Sequence, residues 1–467
     1  MRIHLSAVCG TAMASLAGLL RERRHEVTGS DQDVYPPMST QLEALGIPIL
    51  SPYGEANVPK DADLVVIGNA LSRGNPEVEA VLDRRQRFTS LPALLAEEFL
   101  RPRQSLVVAG THGKTTTSAL LAFLLQRADR DPSFLIGGVP VDFERSYRLG
   151  GGLHFVVEGD EYDCAFFDKR PKFVHYLPTV AVIGNVEYDH ADIYPDLAAV
   201  QLAFVRLLNV IPRGGLLVAG EESPALREIL PLARCRVTTF GLHEGADWRA
   251  VGVRTAHDGT RFRLVRQGRD EGEFKIPLPG EHNVRNVLAA MAVASEAGVE
   301  PGAVRTALVG FRGIRRRLEV RGVVRGVTVY DDFAHHPTAV AATLAALRAL
   351  GGTGRIVAVF EPRSYTSRTR FFQDDFVRAL ASADRVVVAA AHLPGKIPEG
   401  ERLSEAELVA GVRRQGKEAA FIPGVDAIVE ALAPDLRSGD RVAILSNGGF
   451  GGIHDKLLRS LEVTGAA

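Results

Sequence analysis

The sequence predicts an α/β protein of about three domains. Three observations carry that prediction. The chain has 467 residues, too many for a single hydrophobic core. Short apolar runs of strand length alternate with helical patterns from end to end. Turns rich in glycine stand at the ends of several runs, where open parallel sheets bind ligands. Composition is that of an ordinary globular chain, 46% hydrophobic and 24% charged, with a net charge of −1. A near-neutral chain has no bulk attraction for nucleic acid or for a membrane surface, so neither is expected as a partner. Cys9, Cys164 and Cys235 are scattered, with no metal spacing and no disulfide framework, which fits a reducing, cytoplasmic setting. Met1-Arg2-Ile3 leads straight into a strand pattern without a leader peptide, and no apolar run reaches transmembrane length.

The opening reads strand (2–8), helix (11–23), strand (27–30), a βαβ unit of Rossmann type. Its glycine fingerprint is degraded to Ala7-x-Cys9-Gly10-x-Ala12, although small residues still permit a pyrophosphate to approach Cys9, Gly10 and Thr11. Asp31 ends the second strand, about where an acidic group meets a ribose hydroxyl. A further strand, 64–68, runs into Asn69-Ala70-Leu71-Ser72. From these residues alone a nucleotide site and a purely structural unit stand equal. The first domain ends near Arg101-Pro102-Arg103.

The stretch from Ser105 to Thr117 is more specific. An apolar run, 106–109, ends at Gly110; Gly110-x-x-Gly113-Lys114-Thr115 follows, then a helical pattern over 115–125. This is a phosphate loop two residues shorter than the usual spacing. Gly110 and Gly113 let the amides of Thr111, His112 and Thr116 approach phosphate oxygens, and the helix start adds positive potential. Lys114 reaches the outer phosphates and the Thr115 hydroxyl suits Mg²⁺. Downstream, one strand ends in Glu158-Gly-Asp160-Glu161, and a second, 180–183, runs into Asn185-Val-Glu187-Tyr-Asp189-His190. Carboxylates and a histidine at strand ends beside a phosphate loop suit a divalent cation; singly, each also reads as a solvated loop acid. Gly280-Glu-His282-Asn283-Val-Arg-Asn286 precedes a helical pattern at 287–297, so Asn283 and Asn286 either cap it or meet an adenine edge, with capping favoured for one of them.

A boundary falls near Gly313-Ile-Arg315-Arg316-Arg317, either a solvated linker or a source of positive charge for phosphoryl groups. The third unit begins at Val327 and reaches Asp331-Asp332-Phe-Ala-His335-His336-Pro337. Its strands at 355–360, 385–389 and 441–445 alternate with helical stretches. Glu361-Pro-Arg363-Ser364 and Ser446-Asn447-Gly448-Gly449 stand at strand ends.

The ordered set Gly-Thr-His-Gly-Lys-Thr-Thr, Glu158, Asn185 to His190, Gly-x-His-Asn-x-x-Asn, Arg-Arg-Arg and Asp-Asp-Phe-Ala-His-His-Pro resembles the Mur ligase family over essentially the whole chain. The resemblance implies three α/β domains: a Rossmann-like domain (1–103) for UDP-N-acetylmuramate, a central ATP-binding phosphate-loop domain (104–317) and a Rossmann-like domain (318–467) for the incoming amine. It implies a cytoplasmic, ATP-dependent amide ligase of cell-wall peptide synthesis, a monomer or weak homo-oligomer. Lys114, Glu158 and His190 would be catalytic. Gly110 to Thr116, Asn283, Asn286, Arg317 and Asp332 would bind ATP, and Thr115, Glu158 and His190 would hold Mg²⁺. Cys9, Gly10, Thr11, Asp31, Asn69 and Ser72 would meet the UDP sugar.

Tyr162 to Arg170 and the Ser-Asn-Gly-Gly-Phe-Gly-Gly-Ile-His-Asp stretch resemble the branch that accepts the preformed murein tripeptide L-alanyl-γ-D-glutamyl-meso-diaminopimelate. Arg363, Lys169 and Arg170 would bind its carboxylates, with glycine turns at Gly395 and Gly448 to Gly452 leaving room. The alternative within the family is addition of free L-alanine; outside it, a phosphate-loop kinase or nucleotide switch. Residues 191–208 contain no lysine, so the carbamylated lysine of many family members has no counterpart here.

Overall fold

The structure, a computed structural model, describes residues 1–32, 34, 38–393 and 397–464, so the expected turn at Gly395 lies outside the described residues. Its backbone builds three sheets, one for each predicted unit, plus a small hairpin. The first contains β1 (Arg2–Ser6), β2 (Glu26–Ser30), β3 (Ile49–Leu50), β4 (Leu64–Ile67) and β5 (Phe88–Ser90), all parallel in the order 3-2-1-4-5. That is the order expected of a Rossmann half, with its crevice where β1 gives way to β4.

The central sheet has ten strands: β6 (Gln104–Ala109), β7 (Ser133–Leu135), β8 (Tyr147–Arg148), β9 (His154–Gly159), β12 (Pro178–Ile183), β13 (Leu216–Gly220), β14 (Arg236–Gly241), β15 (Trp248–Ala256), β16 (Gly259–Arg266) and β17 (Arg269–Ile276). The intervening β10 (Asp163–Ala165) and β11 (Asp168–Pro171) form a separate antiparallel hairpin. The strand leading into the phosphate loop, β6, lies between β9 and β12 and is parallel to both. The acid-rich segments after β9 and β12 therefore flank the loop. Near-continuous burial along β6, β9 and β12 reflects a parallel sheet covered on both faces.

Helix Lys114–Arg127 is buried at every position from Thr115 to Leu125, because it packs on the sheet on one side and against helix Glu281–Glu296 on the other. The antiparallel β15–β17 meander is an element that the motif reading did not anticipate. Its second turn, Gln267-Gly268, has both φ angles positive (48° and 78°), the backbone of a type I′ hairpin.

The third sheet contains β18 (Glu319–Val324), β19 (Val327–Asp332), β20 (Ile356–Phe360), β21 (Arg385–Val388), β22 (Glu418–Phe421) and β23 (Arg441–Leu445), ordered 18-19-23-20-21-22 and parallel except at β18. The carboxyl ends of β19, β23 and β20 are neighbours, which places Asp332, Asn447 and Arg363 along one edge.

Apolar residues of the first domain and of one face of the central sheet form one continuous core, with Phe99 against Phe155. The third domain meets the central one through aromatic packing of Tyr188 on Phe371 and Phe372 and through polar contacts. The Thr338 hydroxyl donates to Glu187 at 2.6 Å and the Thr366 hydroxyl to Asp189 at 2.6 Å.

Candidate active site

A cavity of about 660 Å³ lies where the phosphate loop, the segments after β9 and β12, the start of helix Glu281–Glu296 and the ends of β19 and β23 converge. Lys114, Thr115, Glu158, His190, Asn283, Asn286, Arg317 and Asp332 all line it. A loop from one domain and strand ends from another thus enclose one volume, the arrangement open α/β sheets use for ligands.

The loop is held from below. Gly113 has φ +82°, and a Cβ there would sit 2.3 Å from Asn286 Oδ1, so only glycine fits. The His112 amide donates to Asn185 Oδ1 at 2.8 Å. Lys114 Nζ donates to the Gly110 carbonyl and to Glu161 Oε2, both at 2.8 Å. Burial opposes its charge, but Glu161 and Asp160 hold its pKa above the usual lysine value. The ammonium is therefore charged and paired with a carboxylate at the cavity wall. Glu161, read from the sequence only as one of a cluster of strand-end acids suited to a cation, instead pairs with Lys114 and His190. Its signal was its place just past the end of β9, beside the loop.

Thr115 Oγ1 donates to Glu158 Oε1 at 3.0 Å, and the Gly137 amide donates to Glu158 Oε2 at 2.7 Å. Burial drives the Glu158 carboxyl above its usual pKa, against the pull of Lys114. A hydroxyl and a buried carboxylate short of positive charge are hard oxygen donors, the set that suits Mg²⁺. His190, the third expected metal ligand, is held by Glu161: its Nε2 lies 3.0 Å from Glu161 Oε1. Burial opposes the charge of the ring, yet that carboxylate keeps its pKa raised.

Asn283 and Asn286 do not cap a helix. The helix begins at Glu281 with Gly280 at its cap and no side-chain capping bond, so the capping alternative fails by a full turn. Asn283 instead donates to the Pro279 carbonyl at 2.8 Å, and Asn286 donates to Asn283 Oδ1 at 3.2 Å while accepting from Thr117. Of the arginine run, Arg315 pairs with Glu319, Arg316 donates to the carbonyls of Ser446 and Gly448 at 2.7 Å, and Arg317 donates to Thr115 Oγ1 at 3.3 Å. It is not a solvated linker. Asp332 accepts from the Leu318 and Ala334 amides and the Thr343 hydroxyl, and burial raises its pKa.

Away from the cavity, the degraded fingerprint folds as a fingerprint. Ala7 takes φ +70°, Gly10 caps helix Thr11–Glu22, and the Cys9 amide donates to Asp31 Oδ2 at 2.8 Å. Asp31 also accepts from Tyr53 Oη at 3.0 Å. Asn69 and Ser72 are exposed beyond the end of β4. Arg363 is half-buried against the Gly448 backbone, where a Cβ would come within 2.1 Å of Arg363 Nε. Lys169 and Arg170 are exposed on the β10–β11 hairpin, paired with Asp163 and Asp168, and Phe167 of that hairpin packs on Phe88 of the first domain.

Fold and site together define an ATP-using ligase of three α/β domains. The Mur ligase family, catalytic domain matches residues 2–101, the Mur ligase middle domain residues 108–294 and the Mur ligase, glutamate ligase domain residues 316–448. The chain belongs to the Mur ligase family. It is 45% identical, over 99% of its length and 98% of the relative's, to the UDP-N-acetylmuramate--L-alanyl-gamma-D-glutamyl-meso-2,6-diaminoheptandioate ligase of Escherichia coli (strain K12). To the UDP-N-acetylmuramate--L-alanine ligase of Bordetella avium (strain 197N) it is 37% identical, over 97% of this chain and 98% of the relative. The crystal structure of a murein peptide ligase from Psychrobacter arcticus 273-4 superposes with a TM-score of 0.74 at 37% identity, covering 99% of this chain and 98% of that one. Among the described residues no helix is long and apolar enough to cross a membrane.

Proposed function

We propose that the protein joins UDP-N-acetylmuramate to the tripeptide L-alanyl-γ-D-glutamyl-meso-diaminopimelate, with ATP cleaved to ADP and phosphate. The observation that carries this reading is the 45% identity, end to end, to a ligase named for that reaction. The cavity supports it, because it meets the needs of the chemistry. A carboxylate is a poor acyl donor, since oxide is a poor leaving group. Transfer of the γ-phosphoryl group to the lactoyl carboxylate gives an acyl phosphate; the alanine amine then attacks its carbonyl carbon, phosphate leaves, and the amine proton is lost.

Bringing a carboxylate to a polyanion requires cancelled repulsion. Lys114, released from Glu161, faces the phosphates, and Arg317 adds a second positive charge beside Thr115. Thr115 and Glu158 would hold Mg²⁺, with His190 near by; when bound, the ion supplies further neutralisation of phosphate charge. Asn283 and Asn286 would meet the adenine and Asp332 the ribose. The crevice at Cys9, Gly10, Thr11 and Asp31, with Asn69 and Ser72 across it, would take the UDP moiety. Arg363, beside the cavity-lining Asn447 turn, would take a peptide carboxylate, with Lys169 and Arg170 as further candidates. The test is whether phosphate release from ATP requires both UDP-N-acetylmuramate and the tripeptide. Release with ATP alone, at the rate of the full mixture, overturns ligation in favour of a nucleotide switch.

A further inference from the structure

Three side chains that line the cavity have a geometry that the ATP contacts assigned above, which for His112 are those of its backbone amide, do not use. His112 is the third residue of the phosphate loop, Glu187 follows β12, and His336 caps helix Pro337–Ala349 of the third domain. One ligand atom from each lies within 4.8 Å of the others. His112 Nε2 is 3.5 Å from Glu187 Oε2, and His336 Nδ1 is 3.9 Å from the same oxygen. With bonds of about 2.0–2.2 Å, the edges of a tetrahedral zinc site span about 3.3–3.6 Å. The two edges that meet at Glu187 are close to that span, and the third, between the imidazoles, must close from no more than 4.8 Å.

The surroundings are those of metal ligands. His336 Nε2 donates to the Tyr188 carbonyl at 3.2 Å, which leaves Nδ1 without a proton; its lone pair accepts the Thr338 amide at 3.3 Å as the helix cap, a long bond that a metal ion would replace. The Thr338 hydroxyl donates to Glu187 Oε2 at 2.6 Å and so orients that carboxylate. His112 Nε2 is buried and has no hydrogen-bond partner. Burial, helped by the neighbouring His112, lowers the pKa of His336, while the His112 contact and the Thr338 hydroxyl lower that of Glu187 despite its own burial.

We propose that His112, Glu187 and His336 form a site for a zinc-like divalent transition ion, distinct from the Mg²⁺ position at Thr115 and Glu158. Two imidazoles and one carboxylate are nitrogen-rich for Mg²⁺ but match zinc, with a fourth position left for water. Because the ligands come from two domains, the ion ties the phosphate loop to the third domain.

Co²⁺ is the probe, added to the full chain in saturating Mg²⁺ without nucleotide. One equivalent should give the intense visible absorption of a four-coordinate nitrogen–oxygen site. His336→Asn keeps a capping oxygen but removes the imidazole, and His112→Ala removes the other; each should abolish the band, with metal-free melting reporting that the fold is retained. Thr338→Val keeps all three ligands and should weaken Co²⁺ binding about 10–100-fold. Glu158→Gln should leave the band intact. A weak six-coordinate spectrum, or a band that survives His112→Ala and His336→Asn but vanishes in Glu158→Gln, overturns the site.

Discussion

At the residue scale the account rests on Lys114. Its ammonium is buried yet charged, which a lysine sustains only beside acids; here Glu161 is 2.8 Å away. Lys114→Ala should lower kcat by at least about 10²–10³ while the circular dichroism spectrum stays that of the parent, since the side chain lines the cavity rather than the core. Near-parental turnover would remove the lysine from the chemistry. Glu158→Gln and His190→Ala should raise the Mg²⁺ concentration for half-activation while UDP-N-acetylmuramate binding is kept; superimposable Mg²⁺ titrations would make both residues structural. The loop was legible in sequence because its chemistry is local: glycine, lysine and threonine act within six consecutive residues. Glu161, Glu187, Asn283 and Asn286 stood out as residue types, but their partners did not: that Glu161 meets Lys114 and His190, and Glu187 meets Thr338, depends on which strands lie side by side.

At the element scale, the contact between the loop and helix Glu281–Glu296 is a prediction in itself. Gly113→Ala forces an L-residue into φ +82° and drives its methyl into Asn286. It should cost about 1 kcal/mol or more, seen as a lower Tm, and the loss should shrink in an Asn286→Ala background. Equal losses in both backgrounds would mean that the close approach carries no strain.

In the first domain, Glu77 is fully buried, accepting from the hydroxyls of Ser6 and Ser30 and from Asn57, with His4 Nε2 3.8 Å away. Burial alone would raise its pKa; these donors instead lower it to about 2 from 4.5. A lowered folded-state pKa means that its stabilisation is present above pH 4.5 and is lost as pH falls toward 2. Denaturant midpoints across that window should fall more steeply for the parent than for Glu77→Gln; parallel curves would contradict the assignment. Strand pattern made β1, β2 and β4 readable, whereas the β15–β17 meander was missed although Asp258-Gly259 and Gln267-Gly268 mark its turns. Its faces alternate only partly between buried and exposed, which blurs the period of two.

At the scale of the whole molecule, the three-domain layout was legible, because ordered motifs mark each unit. Which strand ends meet was not, since that follows from sheet order: β6 between β9 and β12, and β23 between β19 and β20. This juxtaposition makes one cavity from two domains, and under the proposed function it would make amine selection a task of the third domain. Free alanine and the tripeptide present the same amine, so discrimination must come from contacts further along the peptide. Arg363→Ala should raise KM for the tripeptide more than it lowers kcat.

The most direct measurement incubates the enzyme with ATP, Mg²⁺ and UDP-N-acetylmuramate, and compares L-alanyl-γ-D-glutamyl-meso-diaminopimelate with free L-alanine as kcat/KM. The account predicts a clear preference for the tripeptide; a higher kcat/KM for free alanine would contradict it and move the protein to the alanine-adding branch.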